Sequence, residues 1–439
     1  MPNSQSHDIA SLLNVADARR QSGKLDEARR LFHQALAIEQ DNFQARFGLA
    51  MIGLAAGDLA EAERQTEHLI RRYGLIAAAG GLGARIALAR RDFEAALARL
   101  APLLANAGAL GPEQRADVLL LRSEALDGLD RTAEAFDAAV RGKAILHSLF
   151  AARAASRERE VAKLSRLADW FAAADPEPWR TAPAQTPTQA HVFLIGFPRS
   201  GTTLLEQVLA GHPDVTALEE APTLASHYAE LMTSAGDLER LAHLSAAEAE
   251  HWRAVYWETV RDLTGATGPV FLDKAPAGTL YLPLIAKLFP KAKILFAVRD
   301  PRDVVLSCLR NNFQLNAMTY EFTDLGRTAA CYDACMRMAQ VYRRVLPLDL
   351  REVRHETLVE DFDAELAGIG GFLGLEITPG MADIAATSAA RAVRTPSAVQ
   401  VREGLSRRGL GRWRAYRDQL EPVMAALAPW VERFGYGAD

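Results

Sequence analysis

Cysteine is scarce in this chain, with Cys308, Cys331 and Cys335 the only three among 439 residues. Three thiols cannot all pair with one another, which argues against a disulfide-stapled scaffold. Cys331 and Cys335 stand four apart, on one face of a helix, but no nearby His or further Cys completes a metal shell. All three are therefore expected to be reduced, structural thiols. Long apolar runs are also missing. No segment reaches about 18 uninterrupted apolar residues, so no transmembrane helix is expected. The polar first seven residues lack the basic start and apolar stretch of a signal peptide, which makes the cytoplasm the expected compartment. Nor is there a strong excess of one charge. A formal net charge of -5 argues against a general nucleic-acid binder, while leaving room for a local basic cleft around a phosphorylated ligand. What is present is a globular composition, 49% hydrophobic and 24% charged, on a chain long enough for about two or three domains.

The first part repeats itself. Gly23-Lys-Leu25-Asp-Glu-Ala28 recurs as Gly57-Asp-Leu59-Ala-Glu-Ala62 and as Arg91-Asp-Phe93-Glu-Ala-Ala96, so Ala28, Ala62 and Ala96 follow at 34-residue steps. Apolar positions follow each alanine at +4 and +7: Phe32 and Ala35, then Leu69 in the second copy, then Leu100 and Leu103. These offsets put small and large side chains on one face of a helix entered through a Gly or charged turn. A looser fourth unit centres on Ala135, with 108–112 as the insertion. The pattern resembles the tetratricopeptide repeat, a helix-turn-helix unit that serves for partner binding or self-association. A further helical pattern over 144–174 is expected to cap the stack. Prolines then cluster in Asp175-Pro-Glu-Pro178 and Thr181-Ala-Pro-Ala-Gln-Thr-Pro187, which cannot continue a helix. The domains are accordingly expected at 1–174 and 191–439, joined by a linker at 175–190.

From His191 onward, short apolar runs alternate with helical stretches. Residues 192–197, 269–272 and 294–298 are expected as buried strands, with 353–359 as a weaker strand edge. Helices are expected at 202–211, 280–289, 303–312 and 325–345. The fold class is thus α + α/β: a helical repeat stack, then a parallel sheet flanked by helices.

Gly196-Phe-Pro-Arg-Ser-Gly201-Thr202-Thr203 falls between an expected strand and an expected helix. Its Gly-x4-Gly spacing is that of a phosphate-cradling loop, with backbone amides and a helix N-terminus aimed at an anion. Thr202 stands where nucleotide triphosphatases carry Lys, which argues against ATP or GTP hydrolysis. A basic residue lies inside the loop instead, Arg199. After another strand comes Phe296-Ala-Val-Arg299-Asp-Pro-Arg-Asp-Val-Val-Leu-Ser307. Arg299 should sit at a carboxyl end, where open α/β sheets place ligands. With Ser307 about two helical turns on, it could serve a second phosphate. Taken alone, Arg299-Asp-Pro-Arg302 reads equally well as a capped helix start with surface charge.

In this order and context the two segments resemble the 5′-phosphosulfate loop and the 3′-phosphate motif of sulfotransferases. The resemblance covers about 191–435 and is nearest to tyrosylprotein sulfotransferases and bacterial sulfotransferases with tetratricopeptide repeats. It implies a P-loop-like α/β domain that moves a sulfuryl group from 3′-phosphoadenylyl sulfate to an acceptor hydroxyl on a protein tyrosine or on a carbohydrate or small-molecule alcohol. Adenosine 3′,5′-bisphosphate is the product, and no metal is needed because the donor has no β,γ-diphosphate to bridge. The family's catalytic base falls on Glu220, or on the adjacent Glu219. Asp273-Lys274-Ala-Pro276 matches its lysine beside the bridging oxygen, and Thr395-Pro-Ser397 the segment supplying a serine to the transferring group. Ser200, Gly201, Thr202 and Thr203 with Arg199 would hold the 5′-phosphosulfate. Arg299, Ser307 and Arg412 would hold the 3′-phosphate.

Three departures stand out. His355 replaces a tyrosine near the adenosine. Pro222 occupies the position of an arginine used against acidic peptides. The late loop, Arg407-Arg-Gly-Leu-Gly411, is more basic than usual. Two rival readings follow from the same residues. A P-loop kinase would bind ATP with Mg²⁺ and not adenosine 3′,5′-bisphosphate. A non-catalytic scaffold would have lost a catalytic residue.

Overall fold

The structure is a computed structural model describing residues 4–156, 158–181, 186–390 and 404–437. Contacts divide the chain into two units. The first draws on the described residues of Met1–Arg153, Leu309–Asp324 and Ser388–Arg402. The second comprises those of Ala154–Cys308, Leu325–Thr387 and Glu403–Asp439.

The repeat is visible in the backbone itself. Left-handed φ values recur at Gly23, Gly57 and Arg91, 34 residues apart, and at Asp130 after 39. Each marks the sharp turn between the two helices of one repeat, where glycine costs least and Arg or Asp is tolerated. The helices are α1 (Ser4–Gln21), α2 (Leu25–Ile38), α3 (Phe43–Ala56), α4 (Leu59–Tyr73), α5 (Ala77–Ala89), α6 (Phe93–Ala105), α7 (Pro112–Gly128) and α8 (Thr132–Ala155). Asn42, Asp58 and Asp92 each cap the next helix by accepting from a backbone N–H three residues on, at 3.0 Å. Ala28, Ala62, Ala96 and Ala135 are fully buried. Only small residues fit there. A Cβ added to Gly53 of α3 would lie 2.9 Å from the backbone N of Ala62, so the two helices of that repeat touch along their backbones. The +4 position of the second repeat is Thr66. It is buried because its hydroxyl donates to Ala62 O at 2.7 Å. Pro112 opens α7 after the 108–112 insertion, part of which forms a 3-10 turn at Ala107–Ala109.

The segment Leu309–Asp324 belongs to this unit through specific contacts. The buried Lys143 ammonium donates to Asn311 O at 2.8 Å, His147 Nδ1 lies 2.9 Å from Thr323 Oγ1, and Arg310 pairs with Asp127 at 2.8 Å.

Of the helical stretch at 144–174, residues to Ala155 continue α8, and helix α9 (Glu160–Ala172) falls in the second unit. Its apolar face of Leu164, Leu167, Ala168 and Phe171 is buried within the second unit, with Phe171 edge-on to Tyr342 at 4.8 Å. Within the proline-rich stretch after it, Trp179 is fully buried against Phe171.

The second unit holds five parallel strands in the order β2-β3-β1-β4-β5. These are β1 (Ala190–Gly196), β2 (Val215–Glu219), β3 (Val270–Lys274), β4 (Lys293–Val298) and β5 (Asp349–Arg354). β1, β3 and β4 each contain a continuous buried apolar run (192–195, 270–272 and 294–298), as strands covered on both faces do. β2 is a short, half-buried edge strand that the hydrophobic pattern does not reveal. The expected weak strand at 353–359 is shifted. β5 ends at Arg354, and His355–Glu360 is helical. Because β1 lies between β3 and β4, the carboxyl ends of all the strands form one row. That row carries the chemistry.

Candidate active site

Between β1 and α10 (Thr202–Ala210) the chain turns through two left-handed residues, Arg199 (φ 73°) and Gly201 (φ 96°). Alternating backbone handedness of this kind directs successive N–H groups toward one point, in line with the N-terminus of α10. Ser200, Thr202 and Thr203 are all buried in the loop. The β1–β4 register places Gly196 opposite Ala297, two residues before Arg299. The two anion motifs therefore meet directly: Arg299 donates from Nη1 to Arg199 O at 3.2 Å, and Arg199 donates from Nε to Ser307 Oγ at 2.9 Å. His355, immediately after β5, closes over the loop, and a Cβ on Gly201 would lie 2.5 Å from its Nδ1. Burial and the Arg299 and Arg199 guanidiniums push the His355 pKa down to about 3, so the imidazole is neutral. Among the described residues, its Nδ1 and Arg299 Nε are buried with no hydrogen-bond partner, two polar atoms that a bound ligand could satisfy.

The late loop is clipped onto the helix Pro301–Arg310. Asp303 accepts from Gly411 N at 2.7 Å and Trp413 N at 2.8 Å, and lies 3.8 Å from Arg299. Arg299 also donates to Gly409 O. Arg302 pairs with Asp300 at 2.8 Å, its guanidinium 3.6 Å from the centre of the fully buried Trp413 ring. The reading of Arg299-Asp-Pro-Arg302 as surface charge is thus wrong, because Asp300, Arg302 and Asp303 are all buried in this clip. Burial raises the Asp303 pKa to about 6 despite the Arg299 charge. Arg412 is half-buried, with its guanidinium 5.7 Å from the Tyr416 ring centre.

At the other end of the row the β2–β3 register sets Glu219 opposite Lys274. The Lys274 side chain is 0% exposed, and its ammonium lies 2.8 Å from Glu220, 3.3 Å from Glu219 and 3.3 Å from Glu206. Burial alone would pull the ammonium pKa down. The charges of Glu206, Glu220 and Glu219 outweigh it, so the group lies above its ordinary value and is a cation. The two adjacent glutamates differ in a way that matters for chemistry. Glu219 is 9% exposed on the strand, whereas Glu220 is 43% exposed and adopts φ 47°. Among the described residues, Arg199 and Glu220 are the non-glycine residues outside the repeat turns that hold a left-handed backbone. Such conformations cost about 1–3 kcal/mol each and cluster at functional sites. Beside them Asp273 is fully buried, accepting from Thr223 at 2.7 Å and Tyr256 at 2.8 Å, with burial raising its pKa to about 6. Its bond to Thr223 pins the loop that carries Glu220.

All five strand ends thus bear a residue singled out from the sequence: Glu220 after β2, Lys274 closing β3, Arg199 after β1, Arg299 after β4 and His355 after β5. Ser397 lies outside the described residues. Glu206, Asp273 and Asp303 are contributors that the motifs do not name. Glu206 does leave a trace in the sequence, as a carboxylate in a helix whose other positions from Thr202 to Leu209 are Thr, Leu, Gln and Val.

Fold and site together define a parallel α/β domain with a glycine-containing strand-to-helix turn beside Arg299, in a chain that also carries helical repeats. Residues 191–379 match the family model described as Sulfotransferase family, and residues 19–86 match Tetratricopeptide repeat. The segment is a sulfotransferase-family domain, and the chain is similar to tyrosylprotein sulfotransferases, with tetratricopeptide repeats at its N-terminal end. An uncharacterized protein of Aquifex aeolicus is 27% identical over 254 residues, 55% of this chain and 32% of that protein. A putative protein-tyrosine sulfotransferase of Caenorhabditis briggsae is 24% identical over 252 residues, 56% of this chain and 88% of that protein. The sulfotransferase domain of the Synechococcus PCC 7002 olefin synthase superposes with a TM-score of 0.40 at 22% identity, covering 59% of this chain and 99% of that one. The chain spans about a third of the Aquifex relative's length.

Proposed function

We propose that the chain transfers a sulfuryl group from 3′-phosphoadenylyl sulfate to an acceptor hydroxyl. The observation that supports this reading best is the hydrogen bond from Arg299 Nη1 to Arg199 O, because it joins the two motifs assigned to the 5′ and 3′ anions within the span of one nucleotide. The loop amides with Ser200, Gly201, Thr202 and Thr203 hold the 5′-phosphosulfate. Arg299, Ser307 and Arg412 hold the 3′-phosphate, and the neutral His355 lies against the nucleotide. Glu220 takes the acceptor O–H proton while that oxygen bonds to sulfur. The bond from sulfur to the bridging oxygen breaks, and adenosine 3′,5′-bisphosphate leaves. Lys274 and Arg199 stabilise the charge growing on that bridging oxygen, and Ser397 is assigned to the sulfuryl oxygens. Glu220 is the base rather than Glu219 because its exposed carboxylate is the one an acceptor reaches.

A peptide tyrosine is the first acceptor to test, since the C. briggsae relative is named for it. A carbohydrate alcohol is the second. Recruitment of a partner or a second copy is the role proposed for the repeats. A cytoplasmic setting suits Cys308, Cys331 and Cys335, all buried and none in a disulfide. The test is transfer of labelled sulfate from the donor to a panel of tyrosine peptides and glycans. Transfer to either class supports the proposal. Binding of ATP with Mg²⁺ and not of adenosine 3′,5′-bisphosphate would overturn it in favour of a kinase.

A further inference from the structure

One buried ammonium surrounded by three carboxylates is more than an ion pair requires. Lys274 has no exposed surface, and an uncompensated buried lysine loses its proton readily. Two of its counter-ions, Glu219 and Glu220, come from the end of β2, where Glu220 is 43% exposed. The third, Glu206, comes from the second turn of α10, is 1% exposed, and reaches Lys274 at 3.3 Å from inside the protein. The Asp273 carboxyl next in sequence bonds Thr223 and Tyr256. Among the described residues, Glu206, Glu220 and Glu219 are the charges that act on the ammonium.

The proposed mechanism, on which this inference rests, removes one of them. When Glu220 takes the acceptor's proton its carboxyl becomes neutral, and the nearest counter-ion, at 2.8 Å, is lost at the moment Lys274 must carry full charge. We infer that Glu206 is a positioning residue: a permanent counter-ion, closed off from solvent and acceptor, that keeps the Lys274 ammonium charged and in place while Glu220 changes protonation state. It touches neither donor nor acceptor and acts through Lys274. Being the first charge to raise the Lys274 pKa, ahead of Glu220 and Glu219, it is well placed for this.

The chain has seven lysines, few enough for the side-chain nitrogens to be followed individually by NMR after selective ¹⁵N-lysine labelling. Lys274→Met assigns the signal. In Glu206→Gln the Lys274 titration midpoint should fall by about one pH unit or more, the size of effect an adjacent opposite charge produces. The alkaline limb of kcat should move down by the same amount, while KM for the donor changes little. Glu206→Asp should keep the alkaline limb near its original place with a lower kcat. An unchanged midpoint in Glu206→Gln would overturn the inference even if kcat fell. If Glu206→Gln does not fold, the double variant Glu206→Gln/Lys274→Met decides. Recovery of folding supports the link, and failure to recover refutes it. The NMR arm needs no turnover, so a wild type that transfers no sulfate would sink the functional proposal while the charge link is still read.

Discussion

Arg299 reaches across from the end of β4 and donates to the backbone carbonyl of Arg199, at the turn that follows β1. The strands are neighbours in the sheet although about a hundred residues separate their motifs. The same contact makes Arg199 a hub, because its own guanidinium holds Ser307. Neither motif could shift without disturbing the other.

The division of labour between adjacent glutamates is directly testable. Glu220→Gln should lower kcat by roughly 10²- to 10⁴-fold, the usual contribution of a positioned general base, with donor affinity nearly unchanged. Glu219→Gln should cost less, since its carboxylate holds Lys274 but is only 9% exposed. Steady-state kinetics with labelled donor would check both.

Gly201 has no tolerance for a side chain. Its φ of 96° disfavours any L-residue, and an added Cβ would press on His355. Gly201→Ala should weaken binding of adenosine 3′,5′-bisphosphate at least about tenfold, the equivalent of a 1–2 kcal/mol backbone penalty. Adding His355→Ala relieves the clash but not the backbone conformation, so calorimetry should show incomplete rescue.

The chain of contacts from His191 through Tyr256 to Asp273 holds two groups with opposite pH behaviour. Burial depresses His191 from 6.5 to about 3, so the stability it contributes is present above pH 6.5 and lost as pH falls toward 3. Burial raises Asp273 from 3.8 to about 6, so its contribution is present below pH 3.8 and lost as pH rises through 6. Between about pH 4 and 6 the two offset one another, each at ~1.4 kcal/mol per pH unit. On going from pH 7 to 4.5, Asp273→Asn should lose more stability than wild type and His191→Phe less, measured by urea unfolding at each pH.

In the repeats, Gly53→Val should destabilise by about 1–3 kcal/mol, because α3 and α4 meet along their backbones there. Thermal unfolding would show a lower midpoint. Sulfuryl transfer below that midpoint should be unaffected if the repeats serve recruitment alone.

Much of this architecture was legible in the sequence because it rests on local chemistry. The 34-residue repeat shows in its small buried residues and turn positions, down to Arg91 taking a slot that Gly23 and Gly57 fill in earlier copies. The strand–turn–helix at Gly196–Thr202 and Arg299 at a strand end follow from short-range pattern, whereas Glu220, Lys274 and His355 are singled out through the family resemblance. What stayed hidden depends on long-range packing. β2 is a half-buried edge whose identity comes from pairing with β3. Asp300, Arg302 and Asp303 look like surface charges until the late loop folds over them. Helix α9 carries a good amphipathic face, and nothing in that face says which unit it will cover.

The most direct test of the account is calorimetric titration with adenosine 3′,5′-bisphosphate and with adenosine 5′-phosphate, in wild type and Arg299→Ala. The account predicts that wild type prefers the bisphosphate and that Arg299→Ala loses roughly 10- to 100-fold for it, as removal of a charged hydrogen bond does, with little change for the monophosphate. Equal affinity of wild type for the two ligands, or equal loss of both in the variant, would contradict a shared two-pocket grip.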